Sequence, residues 1–422
     1  MRRLVLTCGA LISLLAAGAP VAAAQPTGAE QALTAALNHG MQQIGGQSSA
    51  YVVDLNTGQT LYSDAAGVGR LPASVEKIYT TSTLLLRMGP NATLTTSVLG
   101  VGTIDSSGVW HGTLYLKGGG DPTFGASSFD QAAYGTGTTM QRLVSDLVHA
   151  TGIKGVRGAI VGDESYFDSL RGTPASGYQP DLPDVEGLLS ALAYDRGFEN
   201  FAGTVPQSRP ALVATQQFAA ALRQAGVKVP AKTPVYTGRT PAGARQLAVV
   251  QSPSIAKLIQ LTNTPSDNYF AEMLLKGLGA RFGGAGTTAA GAAVVRAELA
   301  SKFGIDPRLD DGSGLSRLDS TSPIQVVTVL RQMQSDPAFV DSLAVGGETG
   351  TLQDEMRGTI ARGNCRGKTG TLHDVANLAG YCQARDGHTL VFAFLANGLS
   401  YPDYVHSVEA NEMAVALARY DG

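Results

Sequence analysis

Charge is scarce in this chain. Asp, Glu, Lys and Arg make up 15% of its 422 residues, and 31 basic against 34 acidic side chains leave a formal net charge of −3. That balance gives no basic footprint for nucleic acid, so no nucleic-acid partner is expected. The six histidines, His39, His111, His149, His373, His388 and His406, show no ligand spacing such as H-E-x-x-H, so neither a metal nor another cofactor is expected. A G-x-S-x-G elbow is also missing, which disfavours an α/β-hydrolase triad. Beyond the first 24 residues no run approaches the roughly 20 apolar residues of a membrane span.

What is present is apolar and glycine-rich: 44% hydrophobic residues and 52 glycines. This suits a loop-rich, secreted globular enzyme of two or three domains. Met1–Ala24 carries Arg2-Arg3, an apolar run from Leu4 to about Ala17, then Ala22-Ala23-Ala24. It reads as a cleavable secretory signal, with the mature chain starting near Gln25 in the periplasmic or cell-wall space. Cys8 lies inside the apolar run, too early for a lipoprotein cysteine, and the arginine pair leaves twin-arginine export open. Cys365 and Cys382 then remain, a candidate disulfide in an oxidising compartment.

The stretch Leu71-Pro72-Ala73-Ser74-Val75-Glu76-Lys77 organises the rest. Pro72 suits a helix entry, Gly89-Pro90 a stop, and the intervening residues predict a helix from about Ser74 to Met88. Residues three apart share a helix face, so the Lys77 amine sits over the Ser74 hydroxyl and can take its proton if neutral. S-x-x-K alone is weak, and Ser254–Lys257 repeats it, but Lys257 lies only nine residues before Ser266. Ser74 leaves room for a helical region before the downstream signals Ser266-Asp267-Asn268 and Lys368-Thr369-Gly370-Thr371.

In chain order, Ala29–Gln43 is read as a helix, and Ala50–Asp54 and Gln59–Ser63 as a hairpin. From about Asn91 the texture turns Thr-, Val- and Gly-rich, with a Gly118–Pro122 turn and helices near Met140–Ala150 and Leu212–Gln224. Residues 93–245 are therefore read as an insertion of one or two domains between the halves, 25–92 and 246–422, of a discontinuous catalytic domain. Later come helices at Ser254–Asn263 and Asp267–Gly277, and one from Ser322-Pro323 to about Gln334. Strands follow around Lys368, at Asn377–Gln383 and Thr389–Ala396, with a closing helix from about Val405 to Tyr420. That helix carries Glu409, Glu412 and Arg419, which favours packing on the sheet over lying on a membrane. The fold class is α/β (α+β): one five-stranded antiparallel sheet flanked by helices. If the strands around Lys368 and Asn377 form a hairpin turning near His373-Asp374, Cys365 and Cys382 fall opposite one another. Two buried free thiols are the alternative.

Serine with S-D-N and K-T-G in this order resembles the signature of penicillin-binding proteins and serine β-lactamases. Further stretches sharpen the likeness: Gly119-Gly120-Asp121-Pro122-Thr123, Ser252-Pro253-Ser254, Ala271-Glu272, and Asp311-Gly312-Ser313-Gly314-Leu315-Ser316-Arg317. Together they resemble the low-molecular-mass class C penicillin-binding proteins of type 4, D-alanyl-D-alanine carboxypeptidases and endopeptidases whose fold is of the transpeptidase type. The insertion matches too. One departure is at Thr349-Gly350-Thr351-Leu352, where the arginine that follows in the family is displaced by two, to Arg357.

The resemblance implies a peptidoglycan stem peptide ending in D-Ala-D-Ala as substrate, and β-lactam antibiotics as acylating ligands. Ser74 is then the nucleophile and Lys77 its base, kept neutral by like-charge repulsion from Lys368. Ser266 relays a proton to the departing D-alanine, and Asn268 holds Lys77 and the substrate amide. Lys368, Thr369 and the Thr371 hydroxyl engage the substrate carboxylate. Gly370 lets substrate approach the strand, and the N–H groups of Ser74 and Thr371 form the oxyanion hole. Asp121 is either a turn residue or an acid facing the cleft. The competing readings are a β-lactamase or esterase with rapid deacylation and a catalytically silent wall-binding scaffold.

Overall fold

The computed structural model describes residues 27–422, so the expected signal segment Met1–Ala24, with Cys8 and Arg2-Arg3, lies outside the described residues. The first element is the helix Gly28–Ile44, opened by a Thr27/Glu30 capping box and closed at Gly45. This reciprocal pair satisfies two N–H groups that a helix start leaves without partners.

The main sheet is antiparallel, in the order Ala344–Val345, Cys365–Leu372, Val375–Gln383, Thr389–Asn397, Gln47–Asp54, Thr60–Asp64. The five strands expected are all present. Ala344–Val345 adds a sixth at the edge, and two residues carry no periodicity to read. Strand alternation sorts the core onto both faces. Val52, Phe392 and Phe394 meet Leu33 and Leu37 of the first helix and Val408, Met413 and Leu417 near the C-terminus. Val53, Val391 and Leu395, one residue out of phase, meet Ile78, Tyr79, Phe270 and Leu330. Burying each such side chain contributes about 1.5–3 kcal/mol, and with both faces covered, eight of the nine residues of Val375–Gln383 are buried.

The closing helix is interrupted: Pro402–Val408 and Ala414–Arg419 flank a π-turn at Glu409–Met413. It packs on the sheet as expected, and no helix among the described residues is long and apolar enough to cross a membrane.

A second sheet lies within and just past the region read as inserted. Arg245–Gln251, Thr95–Ile104 and Val109–Lys117 pair antiparallel, and Gly155–Arg157, Ile160–Asp163 and Val235–Thr237 continue it in parallel. Its own core joins Trp110, Leu114 and Leu116 to Leu143 and Leu147 of the helix Met140–Thr151 and to Phe218 and Leu222 of Pro210–Gln224. Where the chain leaves and returns, the Ser252 N–H donates to Leu94 O (2.8 Å), and the Leu94 N–H to Ser252 Oγ (2.9 Å).

Candidate active site

Ser74 is only half-buried while every other residue from Pro72 to Leu85 is buried. The chain enters here as a 3₁₀ turn, Ala73–Glu76, and becomes α-helical at Lys77–Met88. In a 3₁₀ turn residues three apart eclipse, which brings Lys77 directly over Ser74. Ala73 has φ +44, a sparsely populated conformation for a residue with a Cβ. The surroundings hold it there. Asn377 Nδ2 donates to Leu71 O (3.0 Å) and Pro72 O (2.7 Å), and Asn397 Oδ1 accepts from the Leu71 N–H (2.7 Å). Two glycines press against the turn: a Cβ on Gly314 would lie 1.9 Å from Ala73 O, and one on Gly370 would lie 2.6 Å from Pro72 O. Gly370 therefore lets its strand approach the Ser74 turn itself, a closer requirement than the expected approach of substrate.

The Lys77 amine is fully buried and has three partners: Ser74 Oγ at 2.8 Å, Asn268 Oδ1 at 2.5 Å and Ser313 O at 2.8 Å. Burial lowers its pKa to about 8, against the opposing pull of Asp311, Glu272, Asp267 and Glu76. The expected repulsion from Lys368 is not the main cause. The effect runs more clearly the other way, since Lys368, also fully buried, is pushed well below the usual lysine range first by burial and then by Lys77.

Ser266 and Lys368 form the opposite wall. Ser266 has φ +67, and its hydroxyl accepts from Lys368 Nζ at 2.8 Å. A second donation, to Thr369 O at 2.8 Å, fixes the amine along its strand. The next side chains on that strand's other face are hydroxyls: Thr369 Oγ1 lies 2.9 Å from Thr351 Oγ1, and Thr371 Oγ1 lies 2.6 Å from His406 Nε2. Cys365 and Cys382 stand opposite in the register and are joined as a disulfide.

Asp267 caps the helix Asn268–Phe282 by accepting from the Phe270 N–H (2.9 Å). Arg196 holds the same carboxylate through two contacts, of 2.6 and 3.1 Å. Behind Lys77, Glu272 Oε1 accepts from the N–H groups of Gly312 and Ser313 (3.0 and 2.8 Å), and Asp311 accepts from Ser313, Gly314 and Ser316. These two acids aim the Ser313 carbonyl at the lysine. Glu76, Asp311 and Asp319, all buried, come within 4.8 Å of one another, the spacing of a possible cation site among the described residues. Burial raises all three pKa values, and repulsion from neighbouring acids adds to it at Glu76 and Asp319. Neither Glu76 oxygen has a hydrogen-bond partner, so its raised pKa favours a protonated acid there over an anion.

Asp121 is not brought to this group. Its carboxylate is 2% exposed and accepts from the Thr123 N–H (2.9 Å) and Oγ1 (2.7 Å), the geometry of a turn residue. The displaced Arg357 donates to Gln353 O and pairs with Asp354 at the surface. Motif reasoning located Ser74, Lys77, Ser266, Asn268, Lys368, Thr369 and Thr371. It quoted the stretches holding Ser313 and Thr351 without giving either a role, and it missed Asn377, Arg196 and His406, which reach the site only through tertiary contact.

The chain is similar to known proteins over most of its length. The chain is 32% identical to a D-alanyl-D-alanine carboxypeptidase of an Actinomadura species and 32% identical to Carboxypeptidase DacB of Mycolicibacterium smegmatis, each alignment covering 90% of this chain and 82% of the relative. Its fold is similar to that of penicillin binding protein 4 (dacB) from Haemophilus influenzae, with a TM-score of 0.69 at 21% identity over 88% of this chain and 97% of that one. The family described as D-Ala-D-Ala carboxypeptidase 3 (S13) matches residues 29–184 and 195–420. With the match spanning nearly all of the described residues, the chain belongs to the D-Ala-D-Ala carboxypeptidase 3 (S13) family.

Proposed function

We propose that this chain is a serine D-alanyl-D-alanine carboxypeptidase, with endopeptidase action on the same bond type, that acts on peptidoglycan stem peptides. The observation carrying the proposal is the pairing of Ser74 with Lys77 at 2.8 Å, facing Ser266 paired with Lys368 at 2.8 Å, in a chain of this family.

The chemistry is acyl transfer in two steps. Neutral Lys77 takes the Ser74 proton as Oγ attacks the carbonyl carbon of the penultimate D-alanine, and the N–H groups of Ser74 and Thr371 receive the developing oxyanion. The C–N bond breaks, Lys77 hands on the proton it took, relayed through Ser266 to the departing amine, and D-alanine leaves with Lys77 neutral again. Water then attacks the ester carbon and gives a proton to Lys77, which passes it to Ser74 Oγ as the C–Oγ bond breaks, and the shortened peptide is released with Ser74 and Lys77 restored. Lys368, Thr369 and Thr371 hold the substrate's terminal carboxylate. Asp121 serves to shape its turn, and no cofactor enters the reaction. The signal segment directs the enzyme to the wall space, and residues 93–245, with the strand that closes their sheet at Arg245–Gln251, form the inserted unit.

Intact-protein mass spectrometry after incubation with benzylpenicillin tests the assignment. A stable adduct in the wild type and none in Ser74→Ala is expected. Hydrolysed penicillin without an adduct favours a β-lactamase, and intact penicillin with no turnover of a D-Ala-D-Ala peptide favours a silent scaffold.

A further inference from the structure

Beside the Lys368 strand opens a cavity of about 320 Å³ whose walls include Thr369, Thr371, Thr351, Glu355, Asp403 and His406. Its side chains belong to the strand face that the proposed function gives to the substrate carboxylate, and the present inference rests on that reading.

His406 links this face to a buried acid. Its Nε2 lies 2.6 Å from Thr371 Oγ1, and its Nδ1 lies 3.6 Å from Glu409. Glu409 is fully buried in the π-turn Glu409–Met413, and neither of its oxygens accepts a full hydrogen bond from another group. A π-turn inside an α-helix is rare and frequent at functional sites. Here it places the carboxyl behind the imidazole.

A carboxyl so placed needs a proton or a cation beside it. His406 Nδ1 is the nearest basic atom. Burial without a hydrogen-bond donor favours the protonated acid at Glu409, so Nδ1 faces a donor rather than an anion, the ring proton sits on Nε2, and Nε2 is a donor. Thr371 must then accept from His406. A hydroxyl has one O–H and two lone pairs, so the Thr371 O–H stays free to donate outward. The opposite tautomer would consume that O–H on Nε2 and leave a lone pair facing an incoming carboxylate.

We infer that His406, set by Glu409, is a positioning residue for recognition of the substrate's terminal carboxylate: it fixes the Thr371 hydroxyl as a donor to that group. No bond is made or broken by the pair.

The test uses two peptides that differ only at the C-terminus, one ending in D-Ala-D-Ala carboxylate and the other in its carboxamide. It compares wild type with His406→Leu, which has no donor, and His406→Gln, which keeps an N–H. Scoring each enzyme by the ratio of kcat/KM for the two peptides cancels any loss of folded protein. The Leu variant is expected to lose roughly tenfold to a hundredfold of the wild-type preference, the range for one charge-assisted hydrogen bond. That loss should fall mainly on KM. The Gln variant should recover most of it. A ratio that does not move, or that moves equally in Leu and Gln, overturns the inference and leaves the proposed function standing. A wild type that cleaves neither peptide and takes no penicillin overturns both.

Discussion

Asn268 Oδ1 and Lys77 Nζ lie 2.5 Å apart, and the direction of that hydrogen bond is fixed from the far side of the amide. Asn268 Nδ2 donates to Asp184 O at 2.6 Å, so its oxygen faces the lysine as an acceptor. Ser313 O is likewise only an acceptor. A neutral amine has two N–H bonds and one lone pair. Both N–H bonds are claimed by Asn268 and Ser313, and the lone pair is left for the proton of Ser74. The site thus selects the orientation a general base needs.

From this follows a pH profile. Lys77 is lowered to about 8, so its neutral fraction rises about tenfold per pH unit below that value and levels above it. Stopped-flow acylation by benzylpenicillin should show that ascending limb. Asn268→Asp sets an anion beside Nζ, stabilises the protonated amine and should move the limb to higher pH. A limb unmoved by Asn268→Asp would count against Lys77 as the titrating base.

The disulfide Cys365–Cys382, 17 residues apart in sequence, ties the Lys368 strand to its neighbour. Closing a loop of that size contributes about 3 kcal/mol in the chain-entropy account. Cys365→Ser with Cys382→Ser should lower the urea-unfolding free energy by about 2–4 kcal/mol. Reduction of the wild type should reproduce the loss. Acylation of the folded fraction should persist, because neither sulfur touches the Ser74 group.

Gly370→Ala tests the approach of the strand to the Ser74 turn. The added Cβ would sit 2.6 Å from Pro72 O and 3.2 Å from the Val75 nitrogen, and backbone atoms cannot swing aside as a side chain can. Overpacking of this kind costs about 1–3 kcal/mol. Penicillin acylation should fall at least about tenfold, because small misplacements of reacting groups are costly. Gly358→Ala is the control, since nothing lies within 4 Å of its Cβ although φ is +70; it should leave acylation intact.

The parts legible in the sequence are those whose spacing is local. Ser74 and Lys77 are one turn apart, and Cys365 falls opposite Cys382 because an antiparallel hairpin has a fixed register. The cap at Ser322 is equally local. The Thr288–Phe303 helix is not legible, because its alanines and Gly291 draw no clear apolar stripe. Nor does the sequence reveal why Lys77 is shifted. Two lysines in motifs suggest repulsion, whereas burial lowers Lys77 most, and burial depends on how Phe270, Tyr79 and their neighbours close over the site. His406 and Arg196 lie 35 residues or more from the motif residues they touch, and no periodicity joins them.

Arg196 gives the most demanding test of how the region after residue 93 supports catalysis. Its guanidinium grips Asp267 with two contacts, donates to Glu186 O at 2.7 Å and lies 4.7 Å from the centre of the Tyr269 ring. The two charged side chains are only 9% and 13% exposed. Removing one partner of a buried pair leaves the other charge unpaired and costs about 3–5 kcal/mol. Arg196→Met should therefore destabilise strongly, and because Asp267 lies between Ser266 and Asn268, the fraction that still folds should acylate slowly. Arg196→Lys should rescue little, since an ammonium can neither fork onto the carboxylate nor lie flat on the ring. Arg196→Met combined with Asp267→Asn removes the orphaned charge and should be less destabilised than the sum of the single changes. Strict additivity in that cycle, measured by urea unfolding, would mean that the contact is geometric only, and that the Ser266 loop is held by the helix cap at Asp267, the Ser266–Lys368 bond and the backbone N–H donations of Ser266 and Asp267 to Asn263 O and Thr262 O.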